Sequence, residues 1–399
     1  MNEATSSGDS ADHLQDQIAA PTGPAARFAD EVLTPMKQKF VGKDEIIDLL
    51  GLCLIARENL FLLGPPGTAK SALVQDMARR LDGRIFDYLL TRFTEPNELF
   101  GPFDIRRLRE GDLVTNTEGM LPEADFVFLD ELLNANSAIL NSLLLVLNER
   151  VFRRGREKRA LPTRIVVGAS NRLPDDDALA ALFDRFLLRV RCDYVPRDEL
   201  PEVLTAGWKM ESPNGDIAPT YTIADICRLS ELVTAVELAA LQPPLVELVH
   251  RLRHAGIAIS DRRAVKLQRL AAASAVMCGR SAATVTDLWV LKYIWDTEEQ
   301  QDVLAETVTD AIKAAASETS PADHPRSRNA ETPDPERLAR DLARVAERIA
   351  AGLNDGNRSY LRDQVGILAG RCQWIAEPRA REFLNGRVQA LWKELGVGT

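Results

Sequence analysis

The chain has 399 residues, of which 59 are acidic and 49 are Lys or Arg, so its formal net charge is −10. This balance disfavours nucleic acid as the main partner, because proteins that bind it usually carry an excess of positive charge. The five cysteines lie more than 30 residues apart, which predicts neither a structural zinc site nor a disulfide framework. The N-terminus shows no signal-peptide pattern, and no apolar run approaches the ~20 residues that span a membrane, so we expect a cytoplasmic protein.

The first predicted elements precede a candidate binding site in the chain. Residues 1–27 are rich in Ala, Ser, Asp and Pro without a sustained period, which predicts a disordered tail. Apolar residues at helical spacing then predict two helices, joined at Val41-Gly42, before a buried strand that begins at Leu60. We expect Val41 and Gly42 to line an adenine pocket. The alternative is a plain turn between helices.

The strand from Leu60 to Leu63 is followed by a phosphate-binding pattern, G-x-x-x-x-G/A-K-S, made of Gly64, Pro65, Pro66, Gly67, Thr68, Ala69, Lys70 and Ser71. Such a loop offers several backbone N–H groups to a polyphosphate, and the helix that starts behind it adds its dipole. We expect the loop and Ala72 to bind ATP, with Lys70 at the β- and γ-phosphates and Ser71 on Mg²⁺. Ala69 departs from the usual Gly and excludes some backbone angles.

A second anchor lies about 60 residues further on, after a second strand at 85–90 and a loop or hairpin insert at 103–119. Four apolar residues form a predicted buried strand that ends in Asp130 and Glu131. Ligands of open parallel sheets bind at the carboxyl ends of the strands, so these carboxylates should lie beside the phosphate loop. Asp130 would hold Mg²⁺, and Glu131 would polarise the attacking water.

Two further candidates come after a buried helix at 138–150 and a basic hairpin at 151–159 with Gly155 at its tip. The hairpin is either a solvated turn or a surface that faces a pore or a partner. Asn171 ends another buried strand and could orient the attacking water, or it could be an ordinary cap residue. Arg185 lies between apolar residues and needs an anionic partner, either a phosphate bound by a neighbouring subunit or a carboxylate such as Asp184.

From residue 194 the pattern is helical. Ser260 or Asp261 caps a helix whose first turn carries Arg262, which opposes the helix dipole unless it meets a phosphate of the same subunit. Asp287 begins another predicted helix. The sequence therefore predicts an α/β domain at 28–193 with a parallel sheet flanked by helices, an all-α lid at 194–300, a helix end and Pro-rich linker at 301–335, and a C-terminal helical module at 336–399.

Taken in order, these motifs resemble AAA+ ATPases of the MoxR group over about residues 28–300, and its RavA branch most. The resemblance rests on the phosphate loop, Asp130-Glu131, 136–141, 148–150, Ser170-Asn171, 184–186 and 260–262. It implies that Asn171 is sensor 1, that Arg185 is an arginine finger acting in trans, and that Arg262 or its neighbour Arg263 is sensor 2. It also implies a helix-2 insert at 92–121 and a pre-sensor-1 hairpin at 150–163.

The same resemblance implies a hexameric ring that hydrolyses ATP with Mg²⁺ and remodels a protein client, commonly with a partner that contains a von Willebrand factor A domain. A nucleic-acid or chelatase-type motor is a second possibility, which the basic hairpin favours and the net charge opposes. A third is an ATP-dependent scaffold with little turnover, which the presence of Asp130, Glu131 and Arg185 opposes.

Overall fold

The computed structural model describes residues 23–109, 114–154, 157–174, 177–197, 199–211, 219, 221–315, 323–328, 335–350 and 378–395, and single positions between 358 and 372. The chain divides between Ser327 and Arg328 into two compact units. Each unit has its own apolar core.

The first unit is built on a five-stranded parallel sheet of order β2-β3-β6-β1-β7. Its strands are β1 (Leu60–Leu63), β2 (Ile85–Leu89), β3 (Phe126–Asp130), β6 (Ile165–Ser170) and β7 (Leu188–Arg191). The central strands β1 and β6 are buried at every position and almost wholly apolar, because helices cover both faces of the sheet. A separate antiparallel hairpin joins β4 (Val151–Arg154) to β5 (Glu157–Ala160). The predicted parallel sheet is confirmed.

The helices around the sheet are α1 (Pro24–Phe28), α2 (Thr34–Lys39), α3 (Asp44–Ala56), α4 (Lys70–Arg80), α5 (Pro96–Phe100), α6 (Ile105–Arg109), α7 (Ser137–Glu149) and α8 (Asp177–Phe183). The π-helical turn Ala29–Leu33 joins α1 to α2, and short 3-10 turns cover Leu121–Glu123 and Leu132–Asn134. Within the insert, Phe103 pairs with Thr115 in an antiparallel bridge. Gly155, the predicted tip of the basic hairpin, lies outside the described residues.

The helical part of the first unit contains α9 (Leu200–Glu211), α10 (Ile223–Leu232), α11 (Gln242–His254), α12 (Asp261–Met277), α13 (Gln300–Ala315) and α14 (Pro325–Arg328), with 3-10 turns at Val233–Ala235 and Val285–Tyr293. Ser260 caps α12, since its side chain accepts a hydrogen bond from the backbone N–H of Arg263. The helix predicted from Asp287 is wrong in type. That stretch forms 3-10 turns, in which the buried Asp287 carboxylate is held by Ser274 and Arg280.

The sequence predicts a helix end followed by a Pro-rich linker at 301–335, and the linker part needs a correction. Residues 300–315 form α13, which buries Leu304, Val308 and Ile312 in the core of the first unit. Residues 323–327, which we call the strap, also pack on this unit. The Thr286 hydroxyl donates to Asp323 (2.9 Å), His324 stacks on Trp289 with ring centroids 4.4 Å apart, and Arg326 pairs with Asp48 (2.7 Å).

The second unit contains α15 (Pro335–Ala350) and α16 (Pro378–Glu394). Its core contains buried apolar residues of the predicted helical module, among them Leu338, Leu342, Val345, Ile349, Leu361, Val365, Leu368 and Leu391. In the part of the chain that the structure describes, no helix combines the length and apolarity needed to cross a membrane.

Candidate functional site

The phosphate loop leaves the carboxyl end of β1 and turns into α4. A Cβ atom at Gly64 would lie 2.2 Å from the carbonyl oxygen of Cys192, so only glycine fits at this position. Gly67 has φ +79°, the left-handed region that favours glycine. The Lys70 ammonium turns back into the loop and donates to the carbonyls of Gly64 (3.0 Å) and Pro65 (2.8 Å).

Lys70 is only 8% exposed, and no carboxylate of the described residues pairs with it. A buried cation without an anionic partner is costly, and a phosphate would supply one. Ser71 follows in the first turn of α4, partly exposed, where its hydroxyl is available to a metal ion on that phosphate. The residues present therefore fit a nucleotide polyphosphate with Mg²⁺.

Ala69 is the N-cap of α4 and lies in the left-handed region, with φ 65° and ψ 22°. A side chain at such an angle strains the backbone, so the surrounding structure must hold the loop in place. Thr68 does this from both sides. Its hydroxyl donates to the carbonyl of Pro65 (3.0 Å), and its own carbonyl accepts from the Cys192 thiol (3.3 Å).

The two carboxylates lie at the end of β3, at the same edge of the sheet. Glu131 is a second strained residue, with φ 49° and ψ 42°. Its backbone N–H donates to Asp130 Oδ1 (2.9 Å), and the Asn134 amide lies 3.5 Å from its carboxylate. Asn171 follows β6, which runs between β1 and β3, and its side chain is exposed. Sheet topology thus brings Lys70, Asp130, Glu131 and Asn171 to one carboxyl edge.

Arg185 lies at the opposite, amino edge. It comes three residues before Leu188, which pairs with Leu60 at the start of β1, and its carbonyl accepts from the Asn59 amide (3.0 Å). A strand rises about 3.3 Å per residue, so the length of β1 alone separates this arginine from its own phosphate loop by about 13 Å. The guanidinium makes one long contact with Asp184 (3.5 Å), and its Nε is buried without a hydrogen-bond partner.

Arg150 also lies at the amino edge, where it contacts Asn59. It follows α7 with φ 51°, and its Nη2 donates to Asn59 Oδ1 (2.5 Å). Burial lowers the pKa of this arginine to about 10, although the nearby Glu58 carboxylate opposes the shift. Arg150 remains charged at neutral pH, and Asn59 links its guanidinium to the backbone carbonyl of Arg185.

Arg262 also lies at the amino edge, where its Nη2 is 3.4 Å from Asn148 Oδ1 near the end of α7. The structure therefore corrects the expectation that Arg262 meets a phosphate of its own subunit. The reason is the packing of α12 along this edge, where Lys266 pairs with Glu58 (2.5 Å) and Arg269 donates to the Ala56 carbonyl (2.9 Å).

Arg263, the alternative to Arg262, is 6% exposed and serves the lid itself. It donates to Asp296 (3.2 Å) and to the carbonyls of Ala258 (3.0 Å) and Ile294 (2.8 Å). Arg262 is exposed and Arg263 is not, so of the two only Arg262 is free to reach a ligand.

The Val41-Gly42 turn packs on the segment that follows β7, of which the structure describes residues 192–197 and 199. Gly42 has φ +71°, and a Cβ there would lie 2.5 Å from the Glu199 carboxylate. Lys43 donates to the Asp193 carbonyl (2.5 Å), while Tyr194, largely exposed, donates to the Pro66 carbonyl (3.3 Å). The same segment thus joins the predicted adenine turn to the phosphate loop.

The sequence predictions gave no role to Cys192 and Tyr194 in this segment, and they included Asn136 only as part of the family motif 136–141. The Asn136 side chain caps α7 by accepting from the backbone N–H groups of Ala138 and Ile139 (both 3.1 Å). Its amide also donates to the carbonyls of Arg92 (3.2 Å) and Thr94 (2.8 Å). Asn136 therefore ties the start of the insert to the helix that comes after the acidic pair. The signal for Tyr194 was an aromatic residue just past a strand that ends beside the loop.

The basic hairpin is fastened to the insert. Arg154 donates to the Gly101 carbonyl (2.7 Å) and stacks 3.9 Å from the Phe103 ring centroid. Arg159 donates to the Thr117 hydroxyl (3.1 Å). These two side chains are engaged within the protein, whereas Arg153 and Lys158 are exposed. Among the described residues, no three His, Cys, Asp or Glu side chains cluster as a metal site, so a metal here depends on the phosphates it accompanies.

The sheet, the phosphate loop, the acidic pair and the helical lid define the AAA+ class of ATPases. A family model described as the MoxR domain in the MoxR-vWA-beta-propeller ternary systems matches residues 27–231, and an AAA lid domain model matches residues 242–308. The chain belongs to the MoxR group of AAA+ ATPases.

Individual proteins are also similar to this chain. An uncharacterized protein of Methanocaldococcus jannaschii is 33% identical over 285 residues, which cover 70% of this chain and 73% of the relative. Chaperone MoxR1 of Mycobacterium tuberculosis is 26% identical over 223 residues, which cover 53% of this chain and 58% of that protein. The crystal structure of a candidate ATPase from Cytophaga hutchinsonii superposes with a TM-score of 0.60 at 18% identity, over 79% of this chain and 98% of the other. This last likeness concerns the fold alone.

Proposed function

We propose that this protein hydrolyses ATP at sites shared between two copies of the chain. The observation that carries the proposal is the separation of charges across the sheet. Lys70, Asp130 and Glu131 lie at the carboxyl edge, whereas the exposed Arg262 and the incompletely paired Arg185 lie at the amino edge. A single chain therefore holds half of one site and half of the next.

In such a site, Lys70 and the loop N–H groups hold the β- and γ-phosphates. Mg²⁺ bound by Ser71 and Asp130 would neutralise part of their charge. Glu131 takes the proton of the attacking water, Asn171 orients that water, and the bond between the γ-phosphorus and the bridging oxygen breaks to give ADP and phosphate. Arg185 and Arg262 of the neighbouring copy stabilise the negative charge that develops.

Repeating one head-to-tail contact closes a ring, and we propose a hexamer. Its work is remodelling or maturation of a protein client, together with a protein that has a von Willebrand factor A domain. The description of the matched family supports this partner and adds a β-propeller protein to the candidates. The same description points to ternary systems of this kind, whereas the RavA branch stays a prediction.

The test is the steady-state ATPase rate of Arg185→Ala, Glu131→Gln and an equimolar mixture of the two. Each variant alone should be inactive. In the mixture, an interface is intact only when its loop comes from the first variant and its arginine from the second, so about a quarter of the interfaces should recover. Wild-type activity per chain should also rise with protein concentration. A normal Arg185→Ala rate, with a mixture no more active than the average of its two components, would exclude sites shared between copies.

The rival functions give different results. A nucleic-acid motor would show turnover that DNA stimulates with a steep salt dependence, because phosphate contacts release counterions. A scaffold would assemble with ATP and turn over no more slowly after Glu131→Gln. The engaged Arg154 and Arg159 weaken the first of these alternatives.

A further inference from the structure

Helix α9 carries an apolar stripe that no described residue of its own chain covers. Leu200, Leu204 and Trp208 recur at every fourth residue and are 46%, 67% and 75% exposed. Residues four apart lie on one face of a helix, so the three side chains form a continuous strip. An apolar strip of this size on a soluble protein marks a contact surface.

The stripe adjoins the nucleotide loop. Helix α9 directly follows the segment 192–199, in which Tyr194 contacts the loop at Pro66 and Glu199 packs against Gly42. Tyr194 is itself 68% exposed, so a second large side chain is open to solvent between the loop and the start of α9. Whatever covers the start of the stripe therefore lies near the phosphate loop.

A second apolar surface lies beside Arg262. Helices α11 and α12 run antiparallel, joined at one end by Arg253 and Asp261 (2.8 Å) and at the other by Gln242 and Gln268 (3.3 Å). Between these contacts lie Val246 and Val265, which are 57% and 70% exposed. Val265 is one helical turn after Arg262, so the apolar surface that the two valines form lies beside that arginine.

We propose that the α9 stripe of one copy docks on the α11–α12 face of the next copy, with Val246 and Val265 against Leu204 and Trp208. This inference rests on the proposed function. If a second copy brings Arg262 to the loop, the same approach carries Val265 to the helix that begins beside the loop. The two faces differ, so the contact is heterologous. Each copy then contacts one neighbour through its α9 stripe and the other neighbour through its α11–α12 face, as a closed ring requires. The apolar contact also shields the shared phosphates from water.

The first test uses Leu204→Cys and Val265→Cys, each in the full chain, with a short bismaleimide and ATP. We expect a cross-linked dimer when the two variants are mixed and none when either is treated alone. A chain with both substitutions should give a ladder of higher oligomers, and the wild-type chain should show the background of its own cysteines. A dimer from Leu204→Cys alone would mean that the α9 stripes of two copies contact each other. No dimer in the mixture would mean that the stripe does not contact the α11–α12 face of another copy. Either result overturns the proposal.

The second test replaces the apolar strip. Leu204→Ser with Trp208→Ser should raise at least tenfold the protein concentration at which the ATPase rate per chain is half-maximal, with nucleotide binding unchanged. Ile105→Ser is the matched control, because Ile105 is equally exposed (67%) but lies on the insert. An unchanged midpoint for the double variant contradicts the docking. If mixing Arg185→Ala with Glu131→Gln restores turnover while the cross-link is absent, the docking is wrong and the shared site stands.

Discussion

The Lys266 ammonium lies 2.5 Å from the Glu58 carboxylate and fastens α12 to the amino edge of the sheet. Glu58 is 6% exposed, so removal of Lys266 leaves a buried carboxylate without its ion pair, with the charge of Arg150 nearby as partial compensation. We expect Lys266→Ala to lower the free energy of unfolding by about 2 kcal/mol, measured by urea denaturation at pH 7. Lys266→Arg should keep most of the stability. The double variant Glu58→Gln with Lys266→Met should cost less than the sum of its parts, and strict additivity would mean that the pair does not interact.

Ala69 should tolerate glycine. Its φ of 65° costs an L-residue about 1 kcal/mol that glycine does not pay, so Ala69→Gly should leave stability unchanged or raise it by up to that amount. Nucleotide affinity, measured with a fluorescent ATP analogue, should stay within a few-fold.

Gly67→Ala is the matched change in the opposite direction. Gly67 has φ +79°, and the space around it is open, so the added methyl group brings backbone strain without a clash. We expect a loss of about 1 kcal/mol in thermal unfolding. A Gly67→Ala variant as stable as the wild type would contradict the left-handed backbone at Gly67, and a loss of stability in Ala69→Gly would contradict it at Ala69.

The strap should be sensitive to acid. Burial lowers the pKa of His324 to about 4; Arg326, Lys37 and Arg280 add to this, and Asp48 opposes it. A released strap would have an ordinary imidazole pKa of about 6.5, so it binds a proton where the packed strap does not. Packing therefore weakens as the pH falls from about 6.5 to about 4, by about 3 kcal/mol in total, and His324 adds no pH dependence above that range.

The measurement is tryptophan emission against pH, because His324 stacks on Trp289. The wild type should change over this range, and His324→Gln should remove that part of the change. Coincident curves for the two proteins would show that the imidazole does not control the strap.

Asn136 accepts hydrogen bonds at the start of α7 and donates hydrogen bonds to the turn at 91–94, and substitutions can separate these two roles. Asn136→Asp keeps the oxygen that caps α7 but turns a carboxylate towards the carbonyls of Arg92 and Thr94. Asn136→Ala removes both the cap and the donor, at a cost of about 1 kcal/mol for the cap. We expect the aspartate variant to retain α7 stability and to loosen the turn at 91–94. Amide hydrogen exchange should then be faster at 91–94 in both variants and faster in the first turn of α7 in the alanine variant alone. Unchanged exchange at 91–94 in the aspartate variant would contradict this division.

The nucleotide-binding elements were predictable because their signals are contiguous in the chain. An apolar run specifies a strand, and the phosphate loop or acidic pair directly after it marks the strand's carboxyl end. Parallel pairing then brings these carboxyl ends to one edge of the sheet. Strand β1 pairs in parallel with β6 and β7. This pairing places Lys70, which follows β1, and Asn171, which follows β6, at the same edge. For the residues of the amino edge, family resemblance implied only that Arg185 acts on a neighbouring subunit, and nothing in the sequence placed it at that edge.

The errors came from contacts between distant parts of the chain. Arg262 faces the amino edge because Lys266 meets Glu58, 208 residues away in sequence, and no local pattern encodes that pairing. The strap has the polar, proline-containing composition of a linker, yet Trp289 and Asp48 hold it in place. Propensity was overridden by tertiary packing in both cases.

Helix α3 is buried along its whole apolar length, from Ile46 to Ala56. The lid reaches it through Arg269 at the Ala56 carbonyl and through Tyr293, which donates to Glu45 (2.6 Å), and the strap reaches it through Arg326 at Asp48. The sheet and the lid therefore share a helix, and neither can be cut away at residue 194 without exposing it to water. We expect the first unit to unfold as one cooperative block, with the backbone amides of α3 among the last to exchange with solvent.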